Sequence, residues 1–228
     1  VVAMPEHRNL HLRGFGRGCD GGGEGRGEDE RAGGVDEQVV NLAGDARVGA
    51  VAAERLAERF RGTPGHPFEH GFDLTLRPHK LSEPLAWRRP RRIFVNSMSD
   101  LFHKDIPREF LDRVFDTMEQ ARWHNFQVLT KRSSLMRSYV NRRYVSGSAP
   151  AHIWLGVSIE DRRSIGRLGH LAQIRAGVRF VSFEPLLEDL GQLDLENIHW
   201  AIVGGESGPK ARPVDPNWVR SIREQCAL

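Results

Sequence analysis

The sequence Ile153-Trp-Leu-Gly-Val-Ser-Ile159 is a short, largely apolar run, and four similar runs lie elsewhere in the chain. These four are Ile93-Phe-Val-Asn-Ser-Met98, Phe126-Gln-Val-Leu-Thr130, Arg179-Phe-Val-Ser-Phe-Glu184 and His199-Trp-Ala-Ile-Val-Gly-Gly205. Apolar runs of this length are typical of strands that are buried on both faces. Helical patterns separate most of the runs, which favours a parallel arrangement. The sequence therefore predicts an α/β fold with a parallel sheet.

Apolar residues at helical spacing fill the segments between the runs. Pro107 suits the first turn of a helix whose inward face runs from Phe110 to Met118. Ser133, Asp161 and Asp215 are expected to cap three further helices. Their expected inward residues are Leu135, Met136, Tyr139 and Val140 in the first, Ile165, Leu168, Leu171 and Ile174 in the second, and Trp218, Val219, Ile222 and Cys226 in the third.

Ligands of parallel α/β sheets bind at the carboxyl ends of the strands, and each run here ends in polar residues or glycine. Two carboxylates at these ends are predicted to act in catalysis, Asp100 and Glu184. The residues predicted to bind a ligand are Asn96, Ser97, Lys131, Arg132, Ser158, Glu160, Gly204, Gly205, Glu206 and Ser207. No metal ligand is predicted.

Several of these residues also suit a structural role. Asp100 either positions a substrate or caps the next turn, and Lys131 and Arg132 either neutralise a phosphate or carboxylate or begin a solvated helix. Glu160 either contacts a ligand or stabilises a helix N-terminus. Glu184 stands on a strand of Phe and Val before a proline, so we expect its carboxylate to point into the barrel mouth.

The loop Gly204-Gly-Glu-Ser-Gly208 follows the last apolar run. Paired glycines permit a close backbone approach or a positive φ, and the amides that follow are suited to hold an anion. No Gly-Lys-Ser/Thr follows at the spacing of a nucleotide P-loop.

The composition is that of a globular protein, with 228 residues, 39% apolar residues and a net charge of +3. No apolar stretch is long enough to cross a bilayer and no signal-peptide pattern opens the sequence, so we expect a cytoplasmic protein. The two cysteines, Cys19 and Cys226, lie far apart and indicate neither a disulfide framework nor a metal site.

Residues 1–52 differ from the rest of the chain. They hold half of the 24 glycines and six arginines against nine acidic residues, which leaves +6 on the remainder. Gly14 to Gly34 has almost no apolar residue, so this Gly-rich N-terminal segment is expected to be disordered. Such strings also arise when GC-rich DNA is translated in the wrong frame. Residues 53–228 are expected to form the folded domain.

The basic stretch Arg88-Arg-Pro-Arg-Arg92 carries four arginines just before the first apolar run. Such a cluster either binds phosphate or nucleic acid or is a solvated lead-in to a buried strand.

Five motifs occur in order along the chain: Phe94-Val-Asn-Ser-Met-Ser-Asp-Leu-Phe-His103, Leu129-Thr-Lys-Arg132, Trp154-Leu-Gly-Val-Ser-Ile-Glu160, Ser182-Phe-Glu-Pro-Leu186 and Val203-Gly-Gly-Glu-Ser-Gly208. Together they resemble the phage gene product thirty-seven / sixty-eight family, a group without an established activity, over about residues 53 to 228. That family is similar to the radical S-adenosylmethionine enzymes. The resemblance implies a partial (β/α) TIM-like barrel of parallel strands.

In such relatives, three closely spaced cysteines precede the helix that corresponds to residues 53–60. They hold a [4Fe-4S] cluster that cleaves S-adenosylmethionine. This chain has Asp45-Ala-Arg-Val-Gly-Ala-Val-Ala52 there, without a cysteine. S-adenosylmethionine and the cluster are therefore implied for intact relatives only, and this chain is expected to be a degenerate or truncated member that performs no radical chemistry.

Three function classes remain open. The first is the degenerate radical S-adenosylmethionine-like protein, with a small-molecule ligand at the strand ends. The second is a hydrolase or transferase that holds a phosphate-like ligand through Lys131, Arg132 and the glycine loop. The third is a non-catalytic phage module that binds nucleic acid through residues 88–92.

Overall fold

The computed structural model describes residues 57–66, 68–96, 99–208 and 210–227, together with the backbone of four short N-terminal strands. These strands are β1 (Val2–Ala3), β2 (Asn9–Leu12), β3 (Asp36–Val40) and β4 (Ala43–Gly44). The stretch Gly14 to Gly34, for which disorder was predicted, and the predicted ligand-binding Ser97 lie outside the described residues.

Five parallel strands form a curled half-barrel whose order follows the chain. They are β6 (Arg91–Val95), β7 (Asn125–Thr130), β8 (Ala149–Ser158), β9 (Ala176–Phe183) and β10 (Trp200–Val203). At the two edges, β3 pairs parallel with β6 and β2 pairs parallel with β10. β1 pairs antiparallel with β2, and β5 (Thr75–Leu76) pairs antiparallel with β4. The predicted α/β fold and partial barrel of parallel strands are confirmed.

Helices connect the strands at the predicted places. They are α1 (Glu83–Ala86), α2 (Arg108–Gln120), α3 (Ser133–Arg143), α4 (Gly166–Ala172) and α5 (Pro216–Cys226), with 3₁₀ turns at Pro78–Lys80 and Arg162–Ser164. Asp161 caps the second turn, since its carboxylate accepts a hydrogen bond from the Ser164 amide, and Asp215 caps α5 through the Asn217 amide.

Two predictions about α3 are wrong. Ser133 is the first helical residue rather than the cap, and its hydroxyl bonds with His170 Nδ1 at 2.9 Å. Leu135 is exposed, whereas Met136 and Val140 are buried. Leu135 is displaced by roughly 100° of helix rotation from the neighbouring Met136, because each residue turns the helix by that angle.

The half-barrel has two unlike faces, set by the period of two along each strand. Residues such as Ile93, Phe126 and Ile153 share one face by pairing register, and Ile93 and Phe126 line a small apolar space with Met118 of α2. This convex face carries the helices and most of the core. The opposite, concave face carries Trp154 and the residues in register with it. No described helix is long and apolar enough to span a membrane.

Candidate functional site

The concave face continues to the carboxyl ends of the strands, as the pairing register shows. Ser158 of β8 pairs with Ser182 of β9, and both side chains are buried on this face. Two residues further along each strand stand Glu160 and Glu184, which the period of two places on the same face. Adjacent strands lie about 4.8 Å apart, so the two residues follow neighbouring strand ends at the mouth.

Lys131 and Gly204 extend this arrangement to the neighbouring strands. Thr130 pairs with Val157, so Lys131, the next residue, lies level with Ser158. Gly204 follows β10 and receives the Leu186 amide on its carbonyl oxygen at 2.8 Å. We call the set Lys131, Ser158, Glu160, Ser182, Glu184 and Gly204 the concave rim.

Glu160 is the most strongly contacted carboxylate of the concave rim. It is buried, and its two carboxylate oxygens lie 2.6 Å from Lys131 Nζ and 3.0 Å from an Arg167 guanidinium nitrogen. The same guanidinium donates to the Ser158 carbonyl oxygen. Two cations thus share one carboxylate, which leaves an excess of one positive charge.

Glu184 differs from Glu160 because it has no ion pair. Its side chain is half-buried, and among the described residues no side chain or amide bonds to its carboxylate. The carboxylate packs against the backbone of Gly204, where an added Cβ atom would lie only 3.0 Å from Glu184 Oε1. A side chain at position 204 would therefore require the Glu184 carboxylate to shift by a few tenths of an ångström.

Both carboxylate oxygens of Asp100 are engaged by groups of the protein. Its first carboxylate oxygen accepts hydrogen bonds from the Phe102 amide at 2.9 Å and the Thr130 hydroxyl at 2.7 Å. The second lies 2.9 Å from the Arg132 guanidinium and accepts from the Lys131 amide at 3.3 Å. Asp100 is 4% exposed, so these contacts fix the loop after β6 to the end of β7. The geometry favours the structural alternative for Asp100.

The predicted pair of cations, Lys131 and Arg132, is not brought together around one anion. Lys131 contacts Glu160, whereas Arg132 contacts Asp100. The two cations therefore form ion pairs with different carboxylates of the protein.

The glycine loop is shaped by contacts of its own. Gly204 and Gly205 are closely approached, by Glu184 and by Val214, and a positive φ occurs at Gly208. Glu206 accepts hydrogen bonds from the Arg212 amide and side chain, which lower its pKa to about 2. The carboxylate of Glu206 is thus engaged across the loop, and Ser207 is exposed beside it.

Asn96 ends β6 in the left-handed region, with φ 63°, and is 3% exposed. Asparagine tolerates this conformation better than most residues, which explains the residue type at this turn.

Two contributors were missed in the sequence. Ser182 repeats the pattern of Ser158, because Ser158-Ile-Glu160 and Ser182-Phe-Glu184 are the same Ser-x-Glu motif on adjacent strands. That repeat was a readable signal. Arg167 had no such signal, since it reaches Glu160 from α4 only after the chain has folded.

The residues of this chain do not fit an iron-sulfur cluster of the kind found in radical S-adenosylmethionine enzymes. Such a cluster takes three closely spaced cysteines, and the sequence contains two distant ones. Cys226, the last residue of α5, is buried in the core. Within the described ranges, no three histidine, cysteine or carboxylate side chains are grouped as metal ligands would be.

Comparison with known proteins gives a family and no function. No curated protein and no solved structure has significant similarity to the chain. Residues 48–228, which include every element from β5 to α5, match the protein family of unknown function designated DUF5131. The chain therefore belongs to the DUF5131 family.

Proposed function

We propose that this domain is a small-molecule-binding relative of the radical S-adenosylmethionine enzymes in which cluster chemistry has been lost. The observation that carries the proposal is the concave rim, where the strand register gathers polar side chains at the mouth of a half-barrel. Ligands of parallel β/α barrels and sheets bind at this edge. The sequence motifs support the relation to that enzyme class.

The charges of the concave rim favour a ligand with two kinds of polar group. Glu184 offers a half-buried carboxylate that an ammonium, sulfonium or hydroxyl group would satisfy. Lys131 and Arg167 carry one positive charge more than Glu160 balances, which suits a carboxylate on the same ligand. A small zwitterion, such as S-adenosylmethionine, has both groups.

Binding of S-adenosylmethionine should be weak, because no cluster is present to hold its amino-acid end. We expect an affinity of about 1 mM, equivalent to roughly 4 kcal/mol. The ligand should remain uncleaved, since reductive cleavage needs an iron-sulfur cluster with an open iron.

A phosphate-binding hydrolase or transferase is less well supported. It would need Lys131 and Arg132 to act jointly, and they contact different carboxylates. Inorganic phosphate should therefore bind no better to this protein than to a variant in which Lys131 is replaced by Gln.

Saturation-transfer NMR with about 1 mM S-adenosylmethionine tests the proposal, because it detects ligands of millimolar affinity. We expect transfer to the ligand with the unaltered protein and its loss with Glu184→Gln, which removes the carboxylate charge. Glu196→Gln is the matched control, because Glu196 is exposed and lies outside the concave rim.

Equal transfer with both variants, or none with the unaltered protein, would overturn the assignment of Glu184. Circular dichroism of Glu184→Gln should match that of the unaltered protein, since this carboxylate makes no hydrogen bond among the described residues.

The origin of the missing cysteines has a separate test in the gene. Reading all three frames through the codon for Ala53 would reveal closely spaced cysteines in an alternative frame if residues 1–52 are mistranslated. If no frame encodes them, the loss is genuine.

The phage relation and a cytoplasmic location are part of the same proposal. The identity of the neighbouring genes tests the phage relation, and cell fractionation tests the location.

A further inference from the structure

A basic and aromatic surface lies at the amino ends of the strands, whereas the concave rim lies at their carboxyl ends. It is formed by residues 87–91, which lead into β6, and by the loop between α2 and β7. We call it the amino-edge patch, and it consists of Trp87, Arg88, Arg89, Arg91, Arg122 and Trp123.

The two segments of the amino-edge patch are bonded to each other. Trp123 Nε1 donates to the Trp87 carbonyl oxygen at 2.7 Å, and the Arg91 amide donates to His124 Nδ1 at 3.0 Å. Trp123 remains 40% exposed. The Arg91 guanidinium lies 4.6 Å from the centre of the Trp87 ring, in a cation–π contact. The patch is therefore a fixed surface with an indole open to solvent.

The amino-edge patch contains four arginines. Among the residues whose side chains the structure describes, Arg88, Arg89, Arg91 and Arg122 form no ion pair with a carboxylate. The nearby Glu83 is ion-paired with Lys80, whose Nζ lies 3.1 Å from Glu83 Oε1.

 The patch therefore carries four positive charges near the exposed indole. Arg91 lies in register with Asp36 of β3, whose side chain is outside the described residues, whereas Arg88, Arg89 and Arg122 are exposed.

We propose that the amino-edge patch binds single-stranded nucleic acid. Arginines of this kind neutralise phosphates, and an open indole next to them offers a surface on which an unpaired base stacks. A double helix keeps its bases stacked inside and offers no such face to Trp123. The patch is separate from the concave rim, so its binding is independent of the small-molecule site.

The test uses the whole chain and fluorescein-labelled oligo(dT) and oligo(U) of about 15 nucleotides, a length that spans a typical single-strand site. Fluorescence anisotropy should give a dissociation constant of about 1–100 μM at physiological salt. If four phosphates are contacted, the affinity should fall roughly 50-fold between about 50 and about 200 mM salt. Comparison of the two oligonucleotides distinguishes DNA from RNA as the preferred strand.

Two variants separate the charge from the stacking. Arg88→Glu with Arg89→Glu should weaken binding and reduce the salt slope by about 1.4, the contribution of two phosphates. Arg142→Glu with Arg223→Glu is the matched control, because it changes the net charge equally at exposed arginines outside the patch. Trp123→Ala should weaken binding about tenfold and leave the salt slope unchanged.

Trp123→Phe and Trp123→Ala both lose the hydrogen bond to the Trp87 carbonyl oxygen, but Trp123→Phe keeps a ring for stacking. Trp123→Phe should therefore retain most of the affinity. The proposal is overturned if neither oligonucleotide binds at the lowest salt, if the control variant weakens binding as much as the patch variant, or if duplex DNA competes as well as the single strand.

Discussion

At the scale of single residues, Asp100 is a buried carboxylate whose two oxygens both contact groups of the protein. It joins Phe102, Thr130 and Arg132 at the end of the first two long strands, and the contacts to Phe102 and Thr130 are buried. Replacing a buried, paired carboxylate leaves its donors unsatisfied, which is costly.

Asp100→Asn should therefore lower the free energy of unfolding by about 2–4 kcal/mol. Urea denaturation measures this change. Asp105→Asn is the control, since Asp105 is exposed, and its effect should stay within about 0.5 kcal/mol. A stable Asp100→Asn protein that has lost ligand binding would instead favour the catalytic role predicted from the sequence.

His124 makes stability depend on pH. Its Nδ1 accepts the Arg91 amide, and its Nε2 lies 2.9 Å from the Pro84 carbonyl oxygen, so the neutral ring is fully bonded. Burial lowers the pKa of His124 below its usual 6.5. The unfolded chain then binds more protons than the folded one, and the free energy of unfolding falls as the pH drops below about 6.5.

Urea denaturation at several pH values between about 5 and about 8 measures this dependence. His124→Gln keeps a donor and an acceptor but does not titrate. The stability of the variant should fall less steeply with acidification than that of the unaltered protein, and equal slopes would contradict the role of His124.

At the scale of elements, α2 and α3 are joined by one arginine. Arg143 of α3 contacts Asp112, Asp116 and Glu119 of α2. Tyr144 also donates to Glu119; although burial raises the pKa of this carboxyl, the hydrogen bonds from Arg143 and Tyr144 hold it below its usual value.

Arg143→Ala should destabilise the fold by about 1–3 kcal/mol, because it leaves three carboxylates facing one another in a partly buried place. The adjacent Arg142→Ala should change stability by less than about 0.5 kcal/mol, since Arg142 is exposed. Urea denaturation of both variants makes the comparison, and equal effects would show that the network contributes little.

The sequence predicted these elements well because buried strands and amphipathic helices have strong periodic signals. It was wrong at Leu135, where several apolar residues of α3 compete for one inward face. The concave rim was predictable in part, since the strand ends identify Glu160 and Glu184. The division of Lys131 and Arg132 between two carboxylates was not, because it depends on how β7 lies beside its neighbours.

At the scale of the whole molecule, the half-barrel separates two surfaces of different character. The concave rim lies at the carboxyl ends of the strands and has carboxylates among its cations. The amino-edge patch lies at the opposite ends and has arginines without carboxylate partners in the described ranges. The parallel direction of the strands thus places the small polar site and the basic surface at opposite ends of one domain.

The most direct measurement is a titration of isotopically labelled protein with S-adenosylmethionine, followed by amide chemical shifts. We expect the largest shifts to cluster at Lys131, Glu160, Glu184 and Gly204, with little change at Trp87 and Trp123. Shifts that cluster at the amino-edge patch, that scatter over the surface, or that persist in Glu184→Gln would contradict a ligand site at the concave rim.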